Sequence, residues 1–192
     1  MRTTPLIPFL LLALTACSAG ETSISEQNAN PLTASRYGDE LADTMADFII
    51  GNDPAVVNNP DIRAIVESEI ERGKDIAAAA REIHSESSLG AIIGIKSAMT
   101  GFALYHKNTF YLSSDFSTSP GASLHVYLTT VVDPRDTDFP DSTAIDLGAL
   151  QAVYGPQQYS VPSQKEEDKL RTFVLFDTKL KMVYGFAQIS KR

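Results

Sequence analysis

The chain has 192 residues, of which 43% are hydrophobic, 21% charged and 8% aromatic. That balance excludes wholesale disorder and collagen-like repetition and suits one domain with an appendage. A formal charge of −8, from 16 Lys+Arg against 24 Asp+Glu, argues against a nucleic-acid surface and against peripheral binding to anionic lipid by charge alone, both of which need clustered bases.

Residues 1–16 read as a targeting segment. Arg2 is a short basic start, and residues 5–16 form an apolar run that is too short to span a bilayer. The run ends in Leu14-Thr15-Ala16-Cys17, which resembles a bacterial lipoprotein signal. The resemblance implies cleavage before Cys17 and acylation, palmitate included, of its thiol and new amine. An ordinary secretory signal with an incidental cysteine, or an uncleaved anchor, stays open beside it. Ser18 follows, where Asp would retain a Gram-negative lipoprotein in the inner membrane, so the expected location is the cell envelope, at the outer membrane facing the periplasm. Cys17 is the only cysteine. Lipidation consumes its thiol, which leaves no disulfide, no Cys nucleophile and no Cys-based metal site.

Residues 17–35 are rich in Ser, Thr, Asn, Ala and Gln and read as a lipidated, disordered tether with a reach of about 25 Å. Residues 36–94 form the helical region. Leu41, Met45, Phe48 and Ile49 fall on one helix face, and Gly51-Asn52-Asp53-Pro54 stops that helix. Asn59-Pro60-Asp61 starts a second one, with an N-cap, a proline at N1 and an acid in the first turn. Ile62, Ile65, Val66, Ile70, Ile76, Ala80 and Ile83 then make an apolar stripe, with Gly73 as a bend. The expected product is a helical hairpin packed on itself or on the next domain; a partner-binding amphipathic hairpin is the alternative.

Residues 95–192 change period. Short β-like runs at 98–105, 109–112, 124–131, 145–150, 157–161, 172–177 and 182–189 are broken by turn residues such as Lys107-Asn108, Pro120-Gly121, Asp133-Pro134 and Gly155-Pro156. About seven strands predict a mainly β fold, an antiparallel β-sandwich or barrel preceded by the helical hairpin.

Three blocks carry a resemblance. The first is Asp115-Phe116 with the run from Ser119 to Leu128, containing Gly121, Leu124, His125 and Tyr127. The second is Leu147-Gly148-Ala149-Leu150 followed by the run from Gly155 to Pro162, containing Tyr159. The third runs from Thr172 to Asp177 and resumes at Val183-Tyr184-Gly185-Phe186-Ala187. In order and spacing they resemble the DM-thirteen domain, an extracytoplasmic module associated with electron transfer. The residues also have local readings. Leu124, Val126 and Leu128 alternate with His125, Tyr127 and Thr129, so one face enters a core. Gly148 suggests a close backbone approach, Tyr159 an edge strand ending at Pro162, and Gly185 a bulge or tight packing. Many family members carry a cysteine where this chain has Asp177, and an acid where it has Ser123. A carboxylate cannot cycle between thiol and disulfide.

Candidate chemistry is sparse. His84 reads as a solvated helix residue and His106 as exposed beside its turn. His125 shares a strand face with Tyr127. Met45, Met99 and Met182 read as core fillers. A haem or metal site could be assembled from His106, His125 and Met99, but no spacing demands it, and the metal remains unknown. Gly-x-Ser-x-Gly, His-Glu-x-x-His and Cys-x-x-Cys-His are all missing from the sequence. The acidic run from Asp133 to Asp138 and the charged run from Lys165 to Lys169 read as solvated loops, and the tyrosines as packing or the wall of a groove. His125, Tyr127 and His106 are the candidate ligand-binding residues. No catalytic residue and no cofactor is predicted. The expected role is non-catalytic binding or accessory work, with the membrane as partner through the anchor, an envelope protein or small ligand as a further partner, and no nucleic acid. The alternative is electron transfer by a bound haem or metal.

Overall fold

The structure is a computed structural model, and it describes residues 28–163 and 169–191. The signal segment, Cys17 and the run from Lys165 to Asp168 lie outside the described residues.

Three helices open the described part, and each begins the same way. Asn30, Asp53 and Asn59 are N-caps whose side chains accept from backbone N–H groups of the first turn, and a proline follows each cap. The caps start α1 (Pro31–Ile50), α2 (Pro54–Val57) and α3 (Pro60–Ser85). Proline suits N1 because it brings a fixed φ and gives up only an N–H that the helix would leave unpaired. Helix α1 therefore begins inside the stretch read as tether. The Asn30-Pro31 signal is the same one that marked Asn59-Pro60.

α1 and α3 pack as a hairpin, but not through the expected isoleucines. Its buried residues include Gly38 and Ala42 on α1 and Val66, Gly73, Ala77 and Ala80 on α3. A Cβ on Gly38 would stand 2.5 Å from the Gly73 carbonyl oxygen, and one on Gly73 would stand 2.6 Å from that of Gly38. The backbones nearly touch, so only small residues fit the seam, and Gly73 marks this crossing. Phe48, Ile50, Val57, Ile62 and Ile65 are left exposed around the far end. The near end is pinned to the β domain: the buried Asn30 amide donates to the Leu112 carbonyl at 2.7 Å.

The β domain has ten strands, three more than the sequence pattern predicts: β1 (Ser88–Ala91), β2 (Ile93–Gly94), β3 (Phe102–His106), β4 (Thr109–Leu112), β5 (Leu124–Thr129), β6 (Ile145–Ala149), β7 (Gln157–Ser160), β8 (Thr172–Asp177), β9 (Met182–Gln188) and β10 (Ser190–Lys191). They form two five-stranded antiparallel sheets, in the orders β10-β1-β3-β4-β7 and β2-β9-β8-β5-β6. The result is a sandwich rather than a closed barrel. β1, β2 and β10 are too short, and β1 and β2 too poor in large apolar residues, to show an alternation. β1 also falls inside the region read as helical. As expected, β7 is an edge strand.

Between the sheets lies a core built on Phe110, Leu112, Phe116, Val126, Leu128, Phe173 and Leu175, all buried. Phe110 and Phe173 stack across it at 5.1 Å. The second sheet also buries its outer face, where Tyr127, Val174, Phe176 and Phe186 pack beneath Phe139 of the loop joining β5 to β6. Gly185 fits both halves of its expectation. The β8–β9 register shifts beside it, and a Cβ there would collide with the Met99 sulfur. Gly148 does not fit: nothing lies within 4 Å of where its Cβ would be, and its φ is +107°. The position needs a backbone conformation that L side chains rarely adopt, at the bulge where β6 slips against β5.

Candidate functional site

Asp177 closes β8 and is fully buried. One carboxylate oxygen accepts from Lys179 N–H at 3.0 Å and Leu180 N–H at 2.9 Å, which shapes the turn into β9. The other accepts from Ala122 N–H at 2.7 Å and Ser123 N–H at 3.3 Å, in the turn before β5. Burial pushes this carboxyl up, but four backbone donors outweigh burial, so it sits below its ordinary value. Thr178 adds to the clamp by donating its N–H to the Ser123 carbonyl at 2.9 Å. Gly121 packs against the same group, since a Cβ there would stand 2.7 Å from Asp177 Oδ2. Ser123 and Asp177 are thus in contact. The carboxylate that the family resemblance would place at 123 reaches the same turn from the opposite strand. Its lone pairs are committed to the fold, and the position has no redox chemistry.

His125 and Tyr127 stand on the outer face of the second sheet, as the alternation of β5 requires, while Leu124 enters the core. His125 Nδ1 lies 2.9 Å from one Asp146 oxygen and 3.1 Å from the other, and Asp146 also accepts from Gly148 N–H at 2.8 Å. Asp146 faces Tyr127 across the β5–β6 pair. Burial first, and then that carboxylate, push the Tyr127 phenol up to about 12. Tyr127 meets Phe139 and Phe176 edge-on at 5.4 and 6.1 Å. Arg135 lies over the Phe186 ring at 5.2 Å and pairs with Asp133, whose carboxyl it holds down at about 2. The acidic loop thereby roofs an aromatic cluster. Sequence reasoning missed Asp146 as the partner of His125, because their pairing crosses a bulge that no local pattern marks.

His106 ends β3 in the other sheet, so the structure does not bring it together with His125. Its Nδ1 lies 2.9 Å from Ser87 Oγ, whose own proton goes to the Ile83 carbonyl. His106 Nδ1 is therefore the donor. Burial and the neighbouring Lys107 pull the ring below its ordinary value despite Glu86. Met99 is a core residue packed against Gly185, so the haem or metal set of His106, His125 and Met99 is not assembled. Among the described residues no group of three His, Cys, Asp or Glu side chains is placed to hold a metal ion. Tyr159 is also core, with its hydroxyl donating to Gln157 at 2.7 Å.

A cleft of about 560 Å³ lies where α3 runs into the sandwich, and His106, Lys107 and Arg171 line it. A groove of about 300 Å³ beside His84 and Arg36 lies between the hairpin and the first sheet.

Residues 97–189 match the family model described as Electron transfer DM13. No curated protein and no solved structure matches the chain. The matched segment covers β3 to β9, including Asp177, His125 and their partners; residues 97–189, the C-terminal half of the chain, form a DM-thirteen domain.

Proposed function

We propose that this is a lipid-anchored protein of the bacterial cell envelope whose DM-thirteen domain does non-catalytic binding or accessory work. The observation that carries the reading is the commitment of Asp177. At the position where the resemblance implies a redox cysteine, a buried carboxylate accepts four backbone hydrogen bonds and ties two turns together. Domain surface, rather than a reactive side chain at that position, is then what is left to act. The anchor rests on the signal-like segment ending at Cys17, and the outer-membrane location on Ser18. The helical hairpin stands between the anchor and the sandwich in the chain.

The test is to express the full chain with its own signal and purify it in mild detergent. The mass of its N-terminal peptide and the visible spectrum before and after dithionite are then recorded, with metal analysis of the same sample. The proposal expects Cys17 as an acylated N-terminus and a spectrum that does not respond to reductant. A stoichiometric chromophore that does respond would replace it with electron transfer by a bound haem or metal.

A further inference from the structure

We infer that the cleft at the base of the helical hairpin is a binding site for a small organic anion, with a phosphate or carboxylate head on a short apolar body. The inference rests on the reading of the domain as a binding module and names the chemistry of its ligand.

The charge is the first argument. The chain as a whole carries −8, yet among the described residues Lys107, Arg171 and Lys191 line this cleft with a single acid, Glu86. Lys107 and Arg171, converging on a concave surface of an acidic protein, concentrate positive potential where low-dielectric walls strengthen it. The negative end of α3 also approaches here, but its last carbonyls are already occupied. Ile83 accepts from Glu86 N–H and Ser87 Oγ, and His84 accepts from Ser87 N–H.

The second argument is that the cations sit on fixed backbone. Arg171 N–H donates to Thr129 at 2.9 Å and its carbonyl accepts from Ile189 N–H at 2.8 Å, so only its side chain is free to meet a ligand. Lys107 occupies the tight β3–β4 turn at φ +42°. The fixed backbone aims both side chains at the cleft, and a guanidinium offers paired donors that match a phosphate or carboxylate.

The third argument is shape. About 560 Å³ falls within the range of sites for small organic molecules. Leu170 and Ile189, both buried core residues, form part of the lining beside Tyr105. A bare inorganic ion would leave that apolar lining unused, which is why the body of the ligand is apolar.

The test uses the full chain in mild detergent and isothermal titration with four probes. Phenyl phosphate represents a free organic anion, and dihexanoyl phosphatidylglycerol below its micelle concentration represents a lipid headgroup. Phenol and dihexanoyl phosphatidylcholine are the controls without net charge. The inference expects saturable binding of phenyl phosphate or of the phosphatidylglycerol, and the one that binds identifies the source. The controls should not bind. A Lys107→Asn/Arg171→Gln variant should bind at least about ten-fold more weakly, the loss expected when charge-assisted hydrogen bonds are removed. Asparagine tolerates the left-handed turn, and an unchanged melting temperature checks that the variant is folded. Lys181→Asn, at the other lysine with positive φ and not part of the cleft lining, should leave binding unchanged. Binding of neither anion, or binding that survives the double variant, would overturn the inference. A redox chromophore would count against the binding-module reading, so the two failures are distinguishable.

Discussion

The helical hairpin and the β-sandwich hold themselves together in opposite ways. The sandwich buries five phenylalanines almost completely: Phe110, Phe116, Phe173, Phe176 and Phe186. Along its seam the hairpin buries Gly38, Ala42, Gly73, Ala77 and Ala80 with Val66, and it leaves its bulky residues exposed near the tip. Stability that comes from buried apolar area belongs to the sandwich. The hairpin depends on the closeness of two backbones, which leaves it little energy to spare and little tolerance for an added methyl group.

Breaking the sandwich should have the largest effect. Phe173→Ala removes a ring stacked on Phe110 in the fully buried core and should cost about 3–5 kcal/mol in denaturant unfolding. Gly38→Leu attacks the other region. Its side chain has no room beside the Gly73 carbonyl, and the strain of overpacking is about 1–3 kcal/mol. Limited proteolysis should then cut within residues 31–85 while the sandwich still unfolds at its original midpoint. A matching drop in the midpoint would mean that the two regions fold as one unit.

Acid sharpens the contrast. Asp177 and Asp133 in the sandwich both have carboxyls held below the ordinary 3.8, Asp133 at about 2. Their contribution is fully present above pH 3.8 and is lost as pH falls through the lower folded values, because the unfolded chain then binds more protons. His106, also depressed, adds a loss in the same direction that begins below its ordinary 6.5. Unfolding midpoints measured from pH 7 to pH 2 should fall in two stages. The smallest effect should come from Arg81→Ala. This exposed guanidinium reaches both Asp39 oxygens at 2.6 Å across the hairpin and should be worth under about 1 kcal/mol in a double-mutant cycle with Asp39→Ala.

The parts of this fold that were legible are those with strong periods or strong punctuation. β4 and β8 stand where alternation and apolar runs put them, and α3 starts at Asn59-Pro60 as its cap predicts. β1, β2 and β10 were not legible, because strands of two to four residues are defined by their partners and not by their own side chains. Gly148 was misread for a similar reason: the sequence shows a glycine but not whether space or φ requires it. The candidate site divides the same way. His125 and Tyr127 could be placed on one face by counting along β5, and Asp177 could be singled out by the departure from the family pattern. Its four hydrogen bonds could not, because the donors come from residues 122 and 123 as well as 179 and 180. Arg171 and Lys191 joined His106 only through tertiary folding.

The central claim is that Asp177 is a structural group at a position where the family resemblance implies a reactive one. Denaturant unfolding of Asp177→Asn at pH 7 tests it most directly. The substitution keeps the side-chain size but turns an amide NH₂ toward two backbone donors that now have a carboxylate oxygen. The account predicts a clearly lower unfolding midpoint with an unchanged slope, and binding at the base of the hairpin left intact in the folded protein. An unfolding midpoint equal to that of the parent would contradict it.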